Sequence, residues 1–296
     1  MSVRQLESQV ALPTQPKADV GEDDLPCIRI APRPRWQIVD FRELYRHREL
    51  LFFLAWRDVA VRYKQTFLGV AWAFLQPLAT MLVFAVFLGR AGGLAEKVPN
   101  YPLYVLAAVL PWTFFANSVS AGGNSLVANE RLITRVYFPR LIIPLSCIGA
   151  AAFDFAISLI LLFGMLVWYG VVPGLNIFLL PLIFILLAAT AAGVAIFLSA
   201  LIVAYRDFRY ILTFGIQLWM FATPAIYLPP DALGPRGQML AALNPVQGLI
   251  FNFRQALLGG ELHLPSFAIS ATVGLLILVL GSFFFRSVER YFADII

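Results

Sequence analysis

The chain has 296 residues, of which 60% are hydrophobic and 13% charged, with a mean hydropathy of +0.79. A soluble globular domain lies nearer half apolar and a quarter charged, so this composition excludes an ordinary water-soluble domain and assigns the chain to the membrane class. The net charge of +5 rests on 22 basic residues, 19 of them arginine, and these crowd beside apolar segments, which favours a lipid surface over nucleic acid as the partner.

Residues 1–39 read as a polar cytoplasmic tail. Pro13, Pro16, Pro26, Pro32 and Pro34 break helices there, so an extended or disordered segment is expected. The first apolar run begins only near Leu50, with no short apolar region and cleavage site before it, so no secretory signal is expected. Residues 40–64 predict an interfacial amphipathic helix, with Asp40 and Glu43 at capping-box spacing. Its apolar centre, Leu50 to Trp56, is far shorter than the ~20 residues that span a bilayer. Charges flank it on both sides, among them Arg46, Arg48, Arg57, Asp58 and Arg62, and Trp56 sits at the boundary. A helix lying in the interface and a generic positive anchor both fit that pattern.

Residues 65–296 form the membrane domain. Six long apolar segments predict six transmembrane helices: Phe67–Gly89, Leu103–Val127, Leu141–Tyr169, Ile177–Ala204, Ile211–Leu228 and Phe267–Phe285. Backbone groups in lipid must pair internally, and the runs are helix-length without strict alternation, so the fold class is an all-α integral membrane protein. With the N-terminus inside, 18 Lys and Arg fall on the cytoplasmic side and four outside, so both termini are expected in the cytoplasm.

Residues 229–265 form a long outer loop before the last span. Asn244, Pro245 and Gln247 predict a helix start and Gly259 a helix end. This segment is apolar but short, so short outer helices are expected, either re-entrant or lying at the interface; an ordinary extracellular amphipathic helix fits equally.

Groups that carry chemistry are scarce. The only histidines are His47 and His263, and no metal-ligand spacing occurs, so no metal is expected. Cys27 and Cys147 lie in a polar tail and an apolar span, so no disulfide is expected. The lysines Lys17, Lys64 and Lys97 follow Pro, Tyr and Glu, so none completes a P-loop. The chain is therefore not expected to hydrolyse ATP or bind a cofactor; ATP and Mg belong on a partner subunit if ATP drives it. Asp154 is the one carboxylate well inside a span. It is either a functional group or a packing residue bonded to Ser, Thr or Tyr on a neighbouring helix.

The segment 129–138, between the second and third spans, is short and amphipathic. Asn129 can cap it and Pro139 ends it, with Leu132, Ile133, Val136 and Tyr137 on one apolar stripe beside Arg131 and Arg135. Such a stripe can enter a groove on a soluble partner, or pack on headgroups or its own bundle. Trp72, Phe74, Trp219 and Phe221 lie inside spans, where such rings face lipid or core, or offer sliding contacts to sugar rings.

The stretches WRDVAV, RYKQTFLGVAWAFLQP (Arg62–Pro77), RLITRVYFPRLIIPLS, ATPAIY (Ala222–Tyr227) and LNPVQGLI resemble, in that order, the permease subunits of ABC exporters for polysaccharides and polyol phosphates. The resemblance covers residues from about Asp40 onward. It implies an ATP-driven exporter in a bacterial inner membrane, built as a homodimer with two soluble ABC ATPase subunits. The cargo it implies is a lipid-linked glycan: O-antigen, capsule or teichoic acid. It marks residues 129–138 as the coupling helix, with Asn129, Glu130, Arg131, Leu132, Ile133, Arg135, Val136, Tyr137 and Phe138 as ATPase contacts. It marks residues 40–62 as a gating helix, and a channel between two copies, lined by the first and fifth spans, with Trp72, Phe74, Trp219, Phe221 and Tyr227 as candidate linings. The tail Met1–Arg35 exceeds what the resemblance implies. Rival readings are an ABC permease for a drug or small lipid, a membrane enzyme, which the scarcity of His and paired carboxylates opposes, and a passive channel.

Overall fold

The structure is a computed structural model, and it describes residues 45–64, 69–135, 138–229 and 234–289, with the side chain of Pro235 left aside. The expectations for the tail 1–39, for the Asp40–Glu43 cap and for Val136 and Tyr137 lie outside the described residues. Every regular element among the described residues is helical, as the hydrophobic runs require of a chain in lipid.

Helix α1 spans Arg48–Lys64. Helix α2 spans Ala71–Phe84 and continues as a π-helical end over Ala85–Ala91. A short α3 (Leu94–Lys97) leads to α4, Tyr101–Ala128, with Pro102 in the first turn where its missing N–H costs nothing. Helix α5 (Glu130–Arg135) follows directly, then α6 (Ile142–Trp168). Gly170, at φ +65°, ends α6 in a left-handed turn that returns Val171 N–H to the Leu166 carbonyl. A 3₁₀ turn (Leu175–Leu179) opens α7 (Leu180–Ala204). Helix α8 spans Phe208–Phe221, followed by a 3₁₀ turn at Pro224–Ile226. Helices α9 (Gly234–Ala241) and α10 (Gln247–Leu258) precede the last helix, α11 (Leu264–Val288).

Among the described residues, five helical segments are long and apolar enough to cross a membrane. They are Ala71–Ala91, Tyr101–Ala128, Ile142–Trp168, Leu175–Ala204 and Leu264–Val288. The remaining predicted span, Ile211–Leu228, differs. Its helix α8 has 14 residues, about 21 Å at 1.5 Å per residue, against the ~30 Å of a hydrocarbon core. Proline at 224 cannot supply the N–H that would carry the α-helix through, and the chain tightens into the 3₁₀ turn instead.

Helix α4 is the axis of the bundle. Its most apolar stretch is 78% buried, against 17% for α2 and 22% for α11, which leave faces for lipid. Close approach is set by small residues. A Cβ at Gly193 would stand 2.5 Å from the Leu278 Cα, and one at Gly122 2.7 Å from the Ala195 Cβ. Without a hydrophobic drive inside lipid, such backbone contact supplies dispersion energy between helices.

The segment before the last helix packs into the bundle. Leu249, Ile250, Ala256 and Leu257 on α10 are fully buried, and the Phe253 ring lies 6.0 Å from that of Phe155, near the middle of α6. Burial on this scale opposes the reading of residues 229–265 as an exposed extracellular amphipathic helix. Gly259, at φ +74°, closes α10 as its position predicts. Gln247 makes no capping box: its Oε1 accepts the Ala225 N–H at 2.9 Å.

Candidate functional site

Helix α5 stands on a buried foot. Ile133 and Phe138 are 7% exposed and join the core, whereas Glu130, Arg131, Thr134 and Arg135 are exposed. Leu132 is half-buried against the same core. The described part of the apolar stripe, Leu132 and Ile133, therefore meets the chain's own bundle, and what α5 offers outward is mostly charge. Asn129 does not cap α5 with its side chain. Its backbone carbonyl accepts from Leu132 and Ile133, while its side-chain amide donates to the Ser125 carbonyl at 2.9 Å. The Asn129 Oδ1 accepts from Arg57 Nη2 at 3.0 Å, which ties α1 to the start of α5.

Helix α1 packs along α6 through Leu54 and Val59, and Ala55 meets Gly149 closely. Its apolar residues are not confined to the packed side: Phe52, Phe53 and Trp56 are all more than half exposed. Arg46 is exposed, and Arg48 sits 4.6 Å from the ring centre of Tyr45. Trp56 meets Phe153 edge-on at 6.3 Å. Arg57 and Asp58 pair at 2.8 Å, and the Cys147 thiol, free of any disulfide, points its sulfur to Asp58 Oδ2 at 3.9 Å.

The last turn of α1 reaches Asp154. Arg62 forms an ion pair with one carboxylate oxygen, and the Tyr63 hydroxyl donates to the other. The tyrosine partner is the packing outcome that a lone intramembrane carboxylate allows; the arginine partner has no signal in the sequence, since 92 residues separate the two. Burial first, and then the bond to Asp154, push the Tyr63 phenol well above its ordinary value of 10.0. Beside this cluster lies a cavity of about 400 Å³ between α1, α2, α4 and α6, lined among others by Trp72, Gln76, Thr113, Asn117 and Asp154.

The candidate channel aromatics divide. Trp72 is 52% exposed and Phe221 62% exposed, while Phe74 is half-buried on α2. Trp219 turns inward: its indole N–H donates to Asn244 Oδ1 at 3.0 Å, and its ring meets Phe115 edge-on at 5.1 Å. Tyr227 stacks on Phe84 at 5.9 Å and donates its hydroxyl to the Phe221 carbonyl at 2.7 Å.

Sequence reading missed the polar cradle around the break after α8. Every partner comes from α4, α10 or the turn before α10. Asn244 Nδ2 donates to the Ala222 carbonyl and to Thr223 Oγ1; Tyr101 and Tyr104 donate to the carbonyls of Tyr227 and Leu228. Arg254, counted in the sequence as a charge of the outer loop, is instead fully buried. It donates to the Ala225 carbonyl and lies 3.7 Å from the ring centre of Tyr104. A broken helix frees backbone groups that lipid cannot satisfy, so side chains must. The lone arginine in the apolar run GLIFNFRQALL is the one signal that could have pointed here.

Comparison with known proteins agrees with this architecture. Residues 49–258 match the family model described as ABC-2 type transporter, from α1 through the end of α10. The chain is 30% identical over 257 residues to the O-antigen export system permease protein RfbA of Myxococcus xanthus, covering 86% of this chain and 97% of that protein. It is 28% identical over 249 residues to the protein of the same name from Klebsiella pneumoniae, covering 84% of this chain and 95% of the relative. A second Klebsiella pneumoniae protein of that name is 26% identical over 249 residues. With four of its five candidate spanning helices, the short α5 between two of them and the buried α10 inside the matched region, the chain belongs to the ABC-2 type transporter family of membrane proteins.

Proposed function

We propose that this chain is the permease subunit of an ATP-driven exporter that carries an O-antigen-type polysaccharide, joined to a lipid, out of the bacterial cytoplasm. The observation that carries the reading is the end-to-end similarity to O-antigen export permeases, at 97% and 95% coverage of two relatives. In this reading α8 and the 3₁₀ turn beyond it complete a sixth crossing, and the polar cradle lets the broken backbone sit in lipid. Both termini lie in the cytoplasm, following the arginine asymmetry. Two copies form the channel, with α2 and α8 facing one another across it. The exposed residues Glu130, Arg131 and Arg135 of α5 dock on a soluble ABC ATPase, which binds ATP and Mg. Helix α1 lies at the cytoplasmic surface among lipid headgroups, and the Arg57–Asn129 bond couples it to α5. ATP-dependent motion of the motor would then shift α5 and α1 together, as rigid coupling requires.

The test is affinity purification from native membranes with an ATPase assay, beside deletion of the gene and staining of surface glycan. A stoichiometric P-loop subunit, vanadate-sensitive hydrolysis and loss of surface glycan are the expected results. A single-chain preparation without hydrolysis, from cells that keep their glycan, would overturn the proposal.

A further inference from the structure

We propose that the cavity beside Asp154 binds a single uncharged sugar ring of the exported glycan; the inference rests on the polysaccharide-export reading above. The cavity's volume, about 400 Å³, falls in the range of small-ligand pockets, about 300–1,000 Å³. Its polar groups converge from different helices: Arg62 from α1, Gln76 from α2, Thr113 and Asn117 from α4, Asp154 from α6.

Their depth makes them unusual. Thr113 and Asn117 lie near the middle of α4, and Asp154 near the middle of α6. Polar side chains at that depth cost free energy unless they meet water or a polar ligand. Among the described residues, the side chains of Gln76, Thr113 and Asn117 make no hydrogen bond, so their amide and hydroxyl groups are available to the cavity.

The charge balance selects the ligand class. Arg62 and Asp154 neutralise one another, so the cavity carries no surplus charge to hold a phosphate or a cation. A hydroxylated ring fits the set. Guanidinium and amide N–H groups donate to hydroxyl and ring oxygens, the carboxylate and amide carbonyls accept from hydroxyls, and hydroxyls do both. Trp72, half exposed at the rim, supplies the flat apolar face on which the C–H side of a pyranose lies.

The experiment is saturation-transfer NMR on the permease–ATPase complex in lipid nanodiscs, with glucose, galactose, mannose and N-acetylglucosamine as probes and inorganic pyrophosphate as competitor. The double variant Thr113→Val/Asn117→Leu removes the polar groups at nearly constant volume and leaves the Arg62–Asp154 pair intact. Trp72→Ala, at an exposed rim position, serves if the double variant does not fold. Saturable transfer to at least one sugar, at least tenfold weaker in either variant and indifferent to pyrophosphate, is the expected result. No saturable sugar signal in the wild type, an unchanged signal in the variants, or displacement by pyrophosphate overturns the site. Surface glycan in a deletion strain separates the two levels. Glycan lost on deletion without a sugar signal removes only the binding site; glycan retained removes the export reading beneath it.

Discussion

Replacing Asn244 by alanine tests whether the broken helix is held by its polar cradle. The Asn244 side chain makes four hydrogen bonds. Its Oδ1 accepts from Trp219 Nε1 at 3.0 Å and Val246 N–H at 3.1 Å; its Nδ2 donates to Thr223 Oγ1 at 2.9 Å and the Ala222 carbonyl at 3.2 Å. Each contributes about 0.5–1.5 kcal/mol net, so losing all four costs about 2–6 kcal/mol. For a chain of this size that lowers Tm by roughly 3–10 °C. Thermal unfolding in nanodiscs, followed by circular dichroism, measures the shift. Asn244→Asp keeps the acceptor oxygen but turns a carboxylate oxygen toward the Ala222 carbonyl, so it should be at least as destabilising as alanine. Trp219→Phe removes one partner, and the Asn244→Ala/Trp219→Phe cycle should show a coupling of about 0.5–1.5 kcal/mol. A shift within about 1 °C of wild type for Asn244→Ala, or simple additivity in the cycle, would refute the cradle.

Three further outcomes follow from the same physics. Gly193→Ala places a methyl 2.5 Å from the Leu278 backbone and should destabilise by about 1–3 kcal/mol, whereas Gly164→Ala, with open space around it, should be neutral or stabilise slightly in the same thermal assay. Arg131→Glu with Arg135→Glu should weaken co-purification of the ATPase at unchanged membrane insertion, because both side chains are exposed while Ile133 holds the helix in place; equal recovery of the ATPase would count against α5 as the docking element. Tyr63 has a raised folded-state value, so its contribution to stability is whole below pH 10.0 and declines as the pH rises above that. Tyr63→Phe should therefore lose stability at neutral pH and show a smaller further loss than wild type above pH 10.0, read as Tm against pH.

The spanning helices were legible because hydropathy is summed over ~20 residues, and no single contact can reverse it. The buried α10 was half legible. Asn244, Pro245 and Gly259 marked a helix near its true ends, but nothing local says whether an apolar helix of 12 residues lies outside or inside a bundle. The α5 stripe shows the opposite limit. Periodicity placed Leu132 and Ile133 on one face, yet such a face serves a partner groove or the chain's own core equally well, and only packing puts Ile133, with Leu132 half-buried beside it, into the core.

The sequence by itself determined the all-helical membrane class, the positions of most crossings, the expected orientation and the resemblance to exporter permeases, because each depends on composition or local pattern. Only the tertiary structure decided that Arg62 reaches Asp154, that Arg254 is buried rather than solvated, and that α8 stops at Phe221 with the carbonyls of Ala222, Tyr227 and Leu228 beyond it held by Asn244, Tyr101 and Tyr104. Those pairings join residues far apart in the chain. In a medium without water each exposed polar group must find a partner inside the protein, and which partner it finds is fixed by how the helices pack, not by its neighbours in sequence.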